Sequence, residues 1–365
     1  MVGISTKIDT RYWNISPHRP ERGKVIQASS IISGGGIVAF PTETVYGLGA
    51  DAWNSRAIEK IYLAKERPAD NPLIVHIAYF HQMRDLVQDI TPTARYLARR
   101  FWPGPLTLVL PKGNGIPEIV TAGLDTVAIR MPAHPVAKSL IYYSRRPIVA
   151  PSANRSGRPS PTTALHVLRD MYGRIDGVMD GGTAKVGVES TVLDITGDIP
   201  IILRPGGIPL EDLERALGQV DLDTGLESRG EDTKPRSPGM KYRHYAPKGE
   251  LHIFLGGPDV VTAKAMVEAA GEWWRKGGRV GILCSREVYE MINEMDDISD
   301  AIYFMRSLGG WDDPGAAARG LYSALHQCDL DEVDIILVQA LPTRGIGLAV
   351  MNRLLKAAGN RVVKV

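Results

Sequence analysis

Lys65 and Arg67 stand two residues apart in AKERPADNPLIVHI, with Asn71 four residues further on. A lysine supplies a mobile point charge, and an arginine a planar fork that matches phosphate or carboxylate. The pair reads either as an anion clamp or as charges compensating the dipole of a helix that ends there. Upstream, FPTETVYGLG places the hydroxyls of Thr42 and Thr44 just beyond a strand-like run over 37–40. That is where α/β domains commonly hold ligands, although turn capping would use the same residue type. His76 interrupts the apolar LIVHI, as a structural histidine or as a substrate hydrogen bonder beside the two cations. Arg130 ends the strand-like TVAIR, four residues after Thr126, so period-two alternation puts both on one face. An arginine in an apolar strand is costly unless a carboxylate pairs with it or an anion binds it. Both readings stand.

The same polar types recur at later strand exits. PSAN follows the strand-like run 148–150 and offers the Ser152 hydroxyl and the Asn154 amide, with Ser160 in the same loop. Ser190 opens STVLDI, and Arg204 ends IILR ahead of two glycines. The segment SPGMKYRHYAPKG carries Tyr242, Arg243, His244 and Tyr245, which suit either a cover folded over a ligand or a docked linker. GxxxxGK[ST], HExxH and GxSxG are all absent, as is a histidine cluster for zinc. The available groups fit binding and alignment of an anionic substrate better than covalent catalysis. Phosphoryl or nucleotidyl transfer works in that way, commonly with Mg²⁺.

These residues need a scaffold, and the chain is long enough for two domains at 365 residues. Residues 1–22 are polar and proline-containing and read as an irregular arm. The span 23–217 alternates short apolar strands with amphipathic helices, among them 24–33, a helix capped by Ser55, two helices within 80–101, and 135–143. Residues 218–250 have little periodicity and read as a linker. From 251 to 365 the pattern is strand, helix, strand, which predicts a smaller α/β domain with a parallel sheet. Forty-three Lys and Arg against 41 Asp and Glu give a net charge of +2, which excludes a strongly basic coat for nucleic acid but not a local basic cleft. The two cysteines, Cys284 and Cys328, form no CxxC motif and read as buried thiols in a reducing compartment. No signal-peptide pattern opens the sequence, and no apolar run reaches the roughly 18 residues of a membrane span. A soluble cytoplasmic protein is expected.

Taken together and in order, FPTETVYGLG, KERPADNPLIVHI, TVAIRMPAHP, VAPSANRSGRPSPT, VESTVLDI and ILRPGG resemble the threonylcarbamoyl-AMP synthase family. SPGMKYRHYAP resembles the linker of its long, two-domain form. The resemblance implies a YrdC-like twisted-sheet catalytic domain followed by a smaller Rossmann-like α/β domain. It also implies a reaction of L-threonine, bicarbonate or CO₂, and ATP that yields L-threonylcarbamoyl-AMP and diphosphate. A partner complex in that family then moves the threonylcarbamoyl group to N6 of adenosine 37 of tRNA (t6A). By the same resemblance Thr44, His76, Arg130, Ala150 and Ser190 would surround threonine. Lys65, Arg67, Asn71, Thr126, Ser152, Asn154, Ser160 and Arg204 would line the nucleotide, with Lys65 and Arg67 aligning phosphates and Tyr245 as the covering residue. Mg²⁺ would be held mainly by ATP phosphates. Two other classes stay open: a module that binds double-stranded RNA or tRNA, recognising shape on a basic surface, and a transcarbamoylase using carbamoyl phosphate.

Overall fold

A computed structural model of the chain describes residues 8–223, 245–295, 300–359 and 361–365. Tyr242, Arg243 and His244 lie outside the described residues. The described residues divide into two compact units. One holds those up to 156, 160–185 and 189–223; the other holds 157–159, 186–188 and those from 245 onward.

The first unit is built on a mixed sheet of eleven strands. In chain order they are β1 (Arg11–Asn14), β2 (Val38–Phe40), β3 (Gly47–Asp51), β4 (Ile74–His76), β5 (Leu106–Pro111), β6 (Thr126–Arg130), β7 (Ile148–Val149), β8 (Gly177–Asp180), β9 (Thr191–Asp194), β10 (Ile201–Arg204) and β11 (Asp221–Leu222). In space the order is β1-β8-β2-β3-β7-β4-β6-β5-β9-β10-β11. Strand β1 pairs in parallel with β8, so the segment expected as an irregular arm supplies an edge strand. At the other edge β11 pairs with β10, so the sheet takes in residues expected in the linker. Strand β3 is written largely in glycine, which weakens strand propensity, and local pattern does not announce it. The glycines are needed there: a Cβ on Gly49 would come within 2.8 Å of both Ile148 Cγ2 and Phe40 Cε1.

Alternation along the strands sorts the side chains. Val75, Leu108, Leu110, Val127, Ile129, Val149 and Leu193 enter the main core with Ala57, Ile58 and Ile61 of helix α2 (Ser55–Lys65), while helix α1 (Arg22–Ser33) buries Val25, Ala28 and Ile32 in a separate cluster with Phe40 and Ile148. Ile74, Val109, Ala128 and Val192 point the other way into a small second cluster, so the opposite pleat face is free to carry polar groups beside it. Helix α2 is capped by Asn54, whose side chain accepts from Ala57 N–H, one residue before the expected Ser55. It ends at Lys65, because Glu66 takes a left-handed conformation with φ 53°.

The second unit has a five-stranded sheet, all parallel, in the order β14-β13-β15-β12-β16. Its strands are β12 (Glu250–Leu255), β13 (Val280–Cys284), β14 (Phe304–Ser307), β15 (Ile335–Gln339) and β16 (Val362–Lys364). This is the parallel α/β domain that the sequence predicts. The Gln339 side chain ties two strand exits together, accepting from Ser285 N–H at 2.8 Å and donating to Gly257 O at 2.8 Å. Both cysteines are buried as free thiols, and burial pushes each up to about 12. No described helix is long and apolar enough to cross a membrane.

Candidate active site

The centre of the site is one row of paired residues running across six adjacent strands of the first unit. Strand pairing sets Ile148 opposite His76, His76 opposite Arg130, Arg130 opposite Thr107, Thr107 opposite Val192 and Val192 opposite Arg204. Paired residues share a face of the sheet, and neighbouring strands lie about 4.8 Å apart, so His76 and Arg204 are ~19 Å apart along the row. Arg204 joins the row through a β-bulge between Ile202 and Arg204. In a regular strand Arg204, two residues after Ile202, would share its face and point into the main core; the bulge turns it to the other face.

Arg130 is 4% exposed and heavily bonded. Its Nη2 donates to Glu43 Oε1 at 2.6 Å, Nη1 to Thr44 Oγ1 at 2.9 Å, and Nε to Gly104 O at 3.3 Å. Glu43 Oε2 accepts from Ala133 N–H at 3.0 Å. The Thr42 hydroxyl donates to Val45 O at 2.7 Å, so in its 2.8 Å contact with Thr44 it accepts. A directed chain results, from Arg130 through Thr44 and Thr42 to Val45 O. The Thr44 hydroxyl thus spends its proton on Thr42 and keeps acceptor capacity for a ligand. Of the two readings left open for Arg130, pairing with a carboxylate is present in the structure.

His76 is buried, with Nδ1 3.1 Å from Ile74 O and its ring edge-on to Phe40. Burial, and then the charge of Arg130, push it down to about 3, so the imidazole is neutral at physiological pH. Ala150 gives its N–H to Ile74 O at 3.0 Å, which leaves its carbonyl and methyl group for a ligand. Ser190 Oγ lies 2.8 Å from Thr107 Oγ1, while Arg204 Nη2 donates to Ser190 O at 3.0 Å and to Ser190 Oγ at 3.2 Å. Thr44, His76, Arg130 and Ala150 are therefore gathered around adjacent strand ends, and Ser190 and Arg204 complete the far side of the row.

The second group sits on loops. The left-handed turn at Glu66 separates Lys65 from Arg67, and the two cations diverge. Lys65, buried at the end of α2, donates from Nζ to Ser152 O and to Asn154 O, the latter at 2.6 Å. Burial first and Arg67 second hold Lys65 well below the usual lysine range. Lys65 thereby fixes the PSAN loop, which β3 also pins through the Gly47–Ser152 bridge and the Ala153 N–H bond to Tyr46 O. Arg67 is half-buried; its Nη2 donates to Asn71 O at 3.1 Å, and its guanidinium lies 5.8 Å from the Tyr62 ring centroid. Asn71 is 1% exposed, and neither end of its amide has a partner among the described residues. A buried amide costs about 1–3 kcal/mol when unsatisfied, so this group is prepared for something that is not protein.

Three assigned residues stand apart. Thr126 is half-buried at the far end of β6, ~13 Å from Arg130 along the strand, so the two cannot hold the same small group. Ser160 Oγ donates to Glu189 Oε1 at 2.5 Å. Tyr245 belongs to the second unit, where it is 6% exposed, left-handed with φ 65°, and set between Tyr322 and Arg353. Glu43 and Thr107 escaped the sequence reading. Glu43 stood in plain view between two threonines, but only tertiary pairing brings it to Arg130. Thr107 lay in an otherwise apolar strand, and its single hydroxyl was the available signal. Among the described residues no group of three or more His, Cys, Asp or Glu is placed to hold a metal ion.

Comparison with known proteins places this geometry. Residues 30–206 match a family described as "Telomere recombination" (Sua5/YciO/YrdC), and 208–359 match "Threonylcarbamoyl-AMP synthase, C-terminal domain". The threonylcarbamoyl-AMP synthase of Pyrococcus abyssi is 48% identical over 95% of this chain and 97% of its own length. That of Bacillus subtilis is 49% identical over 93% and 94%. A crystal structure of P. abyssi Sua5 complexed with L-threonine superposes with a TM-score of 0.90 at 47% identity, covering 98% of this chain and all of that one. The chain belongs to the two-domain threonylcarbamoyl-AMP synthase family.

Proposed function

We propose that the His76, Arg130 and Thr107 end of the sheet row receives L-threonine and that Arg204, with the Lys65, Arg67, Asn71 and PSAN group, receives ATP, within one site of the first unit. The chain is a nucleotidyltransferase that makes L-threonylcarbamoyl-AMP from L-threonine, bicarbonate or CO₂, and ATP, releasing diphosphate. The observation that carries the residue assignment is the register placing His76, Arg130, Thr107 and Arg204 in one transverse line. Its ~19 Å span suits a ligand with an amino acid at one end and a nucleotide at the other.

In this reading Arg130 takes the threonine carboxylate, and Thr44 accepts from the amine or hydroxyl. His76 and the Ala150 carbonyl shape the pocket, with Ser190 beside them. The neutral amine attacks CO₂ and loses a proton, giving a carbamate. A carbamate oxygen then attacks the α-phosphate of ATP as the bond to diphosphate breaks. Lys65 holds the PSAN loop so that Ser152 and Asn154 line the nucleotide, Asn71 gains the partners it lacks, and Arg67 and Arg204 offset developing phosphate charge. Thr126 and Ser160 serve the nucleotide side. Mg²⁺ would arrive on the ATP phosphates and supply charge neutralisation there. The acyl group would then pass to tRNA adenosine 37 on a separate transfer complex. A cytoplasmic location and a weak contact with tRNA or double-stranded RNA accord with that role.

Incubation with threonine, ATP and labelled bicarbonate tests the assignment. Label should enter an adenylate only when all three substrates are present, with diphosphate in equal amount. Diphosphate release that ignores threonine would defeat it. RNA retention that falls with salt, without adenylate formation, would favour the RNA-binding reading.

A further inference from the structure

We propose that Glu43 is the positioning residue of Arg130: its carboxylate fixes the plane of the guanidinium and balances its charge, so that the amino-acid side admits one carboxylate and resists phosphate. The proposal rests on the reading that Arg130 receives the threonine carboxylate. Glu43 is 9% exposed and lies on the turn after β2, not on the strand that carries Arg130. It spans two segments, taking Arg130 Nη2 on one oxygen at 2.6 Å and the Ala133 N–H on the other at 3.0 Å. Three acceptors, Glu43, Thr44 and Gly104, hold three different guanidinium nitrogens. A guanidinium has five N–H groups, so one remains on Nη1 and one on Nη2, enough for a bidentate carboxylate.

The charge balance matters as much as the geometry. An unpaired buried arginine would attract any anion, and this site must work beside a triphosphate. Paired with Glu43, the couple is neutral. A zwitterionic amino acid adds no net charge to it, whereas a phosphate group would be left uncompensated beside the carboxylate. A buried ion pair is a poor source of stability compared with apolar packing, so its presence here is better explained by what it does to Arg130.

Glu43→Gln separates this role from folding, because the shapes match. The amide oxygen can still accept from Nη2, but the NH₂ group would then face the Ala133 N–H, donor against donor. The variant should fold with a thermal midpoint lowered by about 5–10 °C and keep its KM for ATP within about twofold, while kcat/KM for threonine falls about tenfold or more. Inorganic phosphate should become a competitive inhibitor against threonine in the variant and not in the wild-type protein. In an Arg130→Ala background, Glu43→Gln should add little, since its effect passes through Arg130. A threonine kcat/KM within twofold of wild type in the single variant would overturn the proposal. So would an undiminished Glu43→Gln effect in the Arg130→Ala background. If Arg130→Ala itself leaves threonine use unchanged, the threonine assignment fails first and the role of Glu43 with it.

Discussion

The two halves of the site are built on different terms. The half proposed for the amino acid is on strands, and its polar groups are bonded to one another: Arg130 to Glu43, Thr44 and Gly104, and Ser190 to Thr107 and Arg204. The half proposed for the nucleotide is on a helix end and loops, with Lys65 spent on loop carbonyls and the Asn71 amide without a partner among the described residues. Order in the first half comes from the sheet and from hydrogen bonds among its own polar groups, so losing a group there should cost both stability and substrate use. The second half carries polarity the fold does not satisfy. There, removing a group should harm the reaction while relieving the protein.

Arg130→Ala is the strongest blow to the first half. It strands the Glu43 carboxylate and removes the carboxylate receptor, so kcat/KM for threonine should fall by about two to three orders of magnitude. Steady-state titration of threonine at saturating ATP measures it, and an equal loss for both substrates would erase the distinction between halves. His76 tests the same half through pH. Its folded-state value of about 3 lies below the unfolded value near 6.5, so the unfolded chain binds more protons between them. The stability from keeping His76 neutral is therefore full above pH 6.5 and is lost as pH falls toward 3, by ~5 kcal/mol as an upper bound. Denaturant melts across that range should show less of this slope in His76→Leu; an unaltered slope would mean that His76 does not titrate as a buried group.

Asn71→Leu probes the other half and should move activity and stability in opposite directions. KM for ATP should rise about tenfold, and the thermal midpoint should rise by ~2–4 °C for each kcal/mol of relieved desolvation. A lower midpoint would show that Asn71 is bonded in the folded protein and would weaken the contrast. Thr107→Val is the mildest test. It removes the hydroxyl behind Ser190 without changing shape, so threonine KM should rise about fivefold, in keeping with one neutral hydrogen bond. Indifference to this change would detach Ser190 from the row.

Much of the fold was legible because short apolar runs and amphipathic helices are local patterns. β5 and β6, β12 to β15 and their helices follow directly from periodicity. Three places were not. β1 is a short edge strand in a polar segment, β3 is written largely in glycine, and β11 has two residues. Each exists because a neighbouring strand offers hydrogen bonds, and no local preference announces that. The site shows the same division. Lys65, Arg67, Ser152 and Asn154 were recognisable as polar types at strand or helix ends, but their partners were not.

By itself, then, the sequence determined which residues could do chemistry and that they stand at the ends of buried strands, since side-chain type and alternation are properties of the local chain. Tertiary structure alone decided the register that lines His76, Arg130, Thr107 and Arg204 across five strands. It also decided the bulge that turns Arg204 out of the core, and the pairing of Glu43 with Arg130 across 87 positions of sequence. Strand order and register are long-range choices, settled by which faces can be buried together and which hydrogen bonds can close.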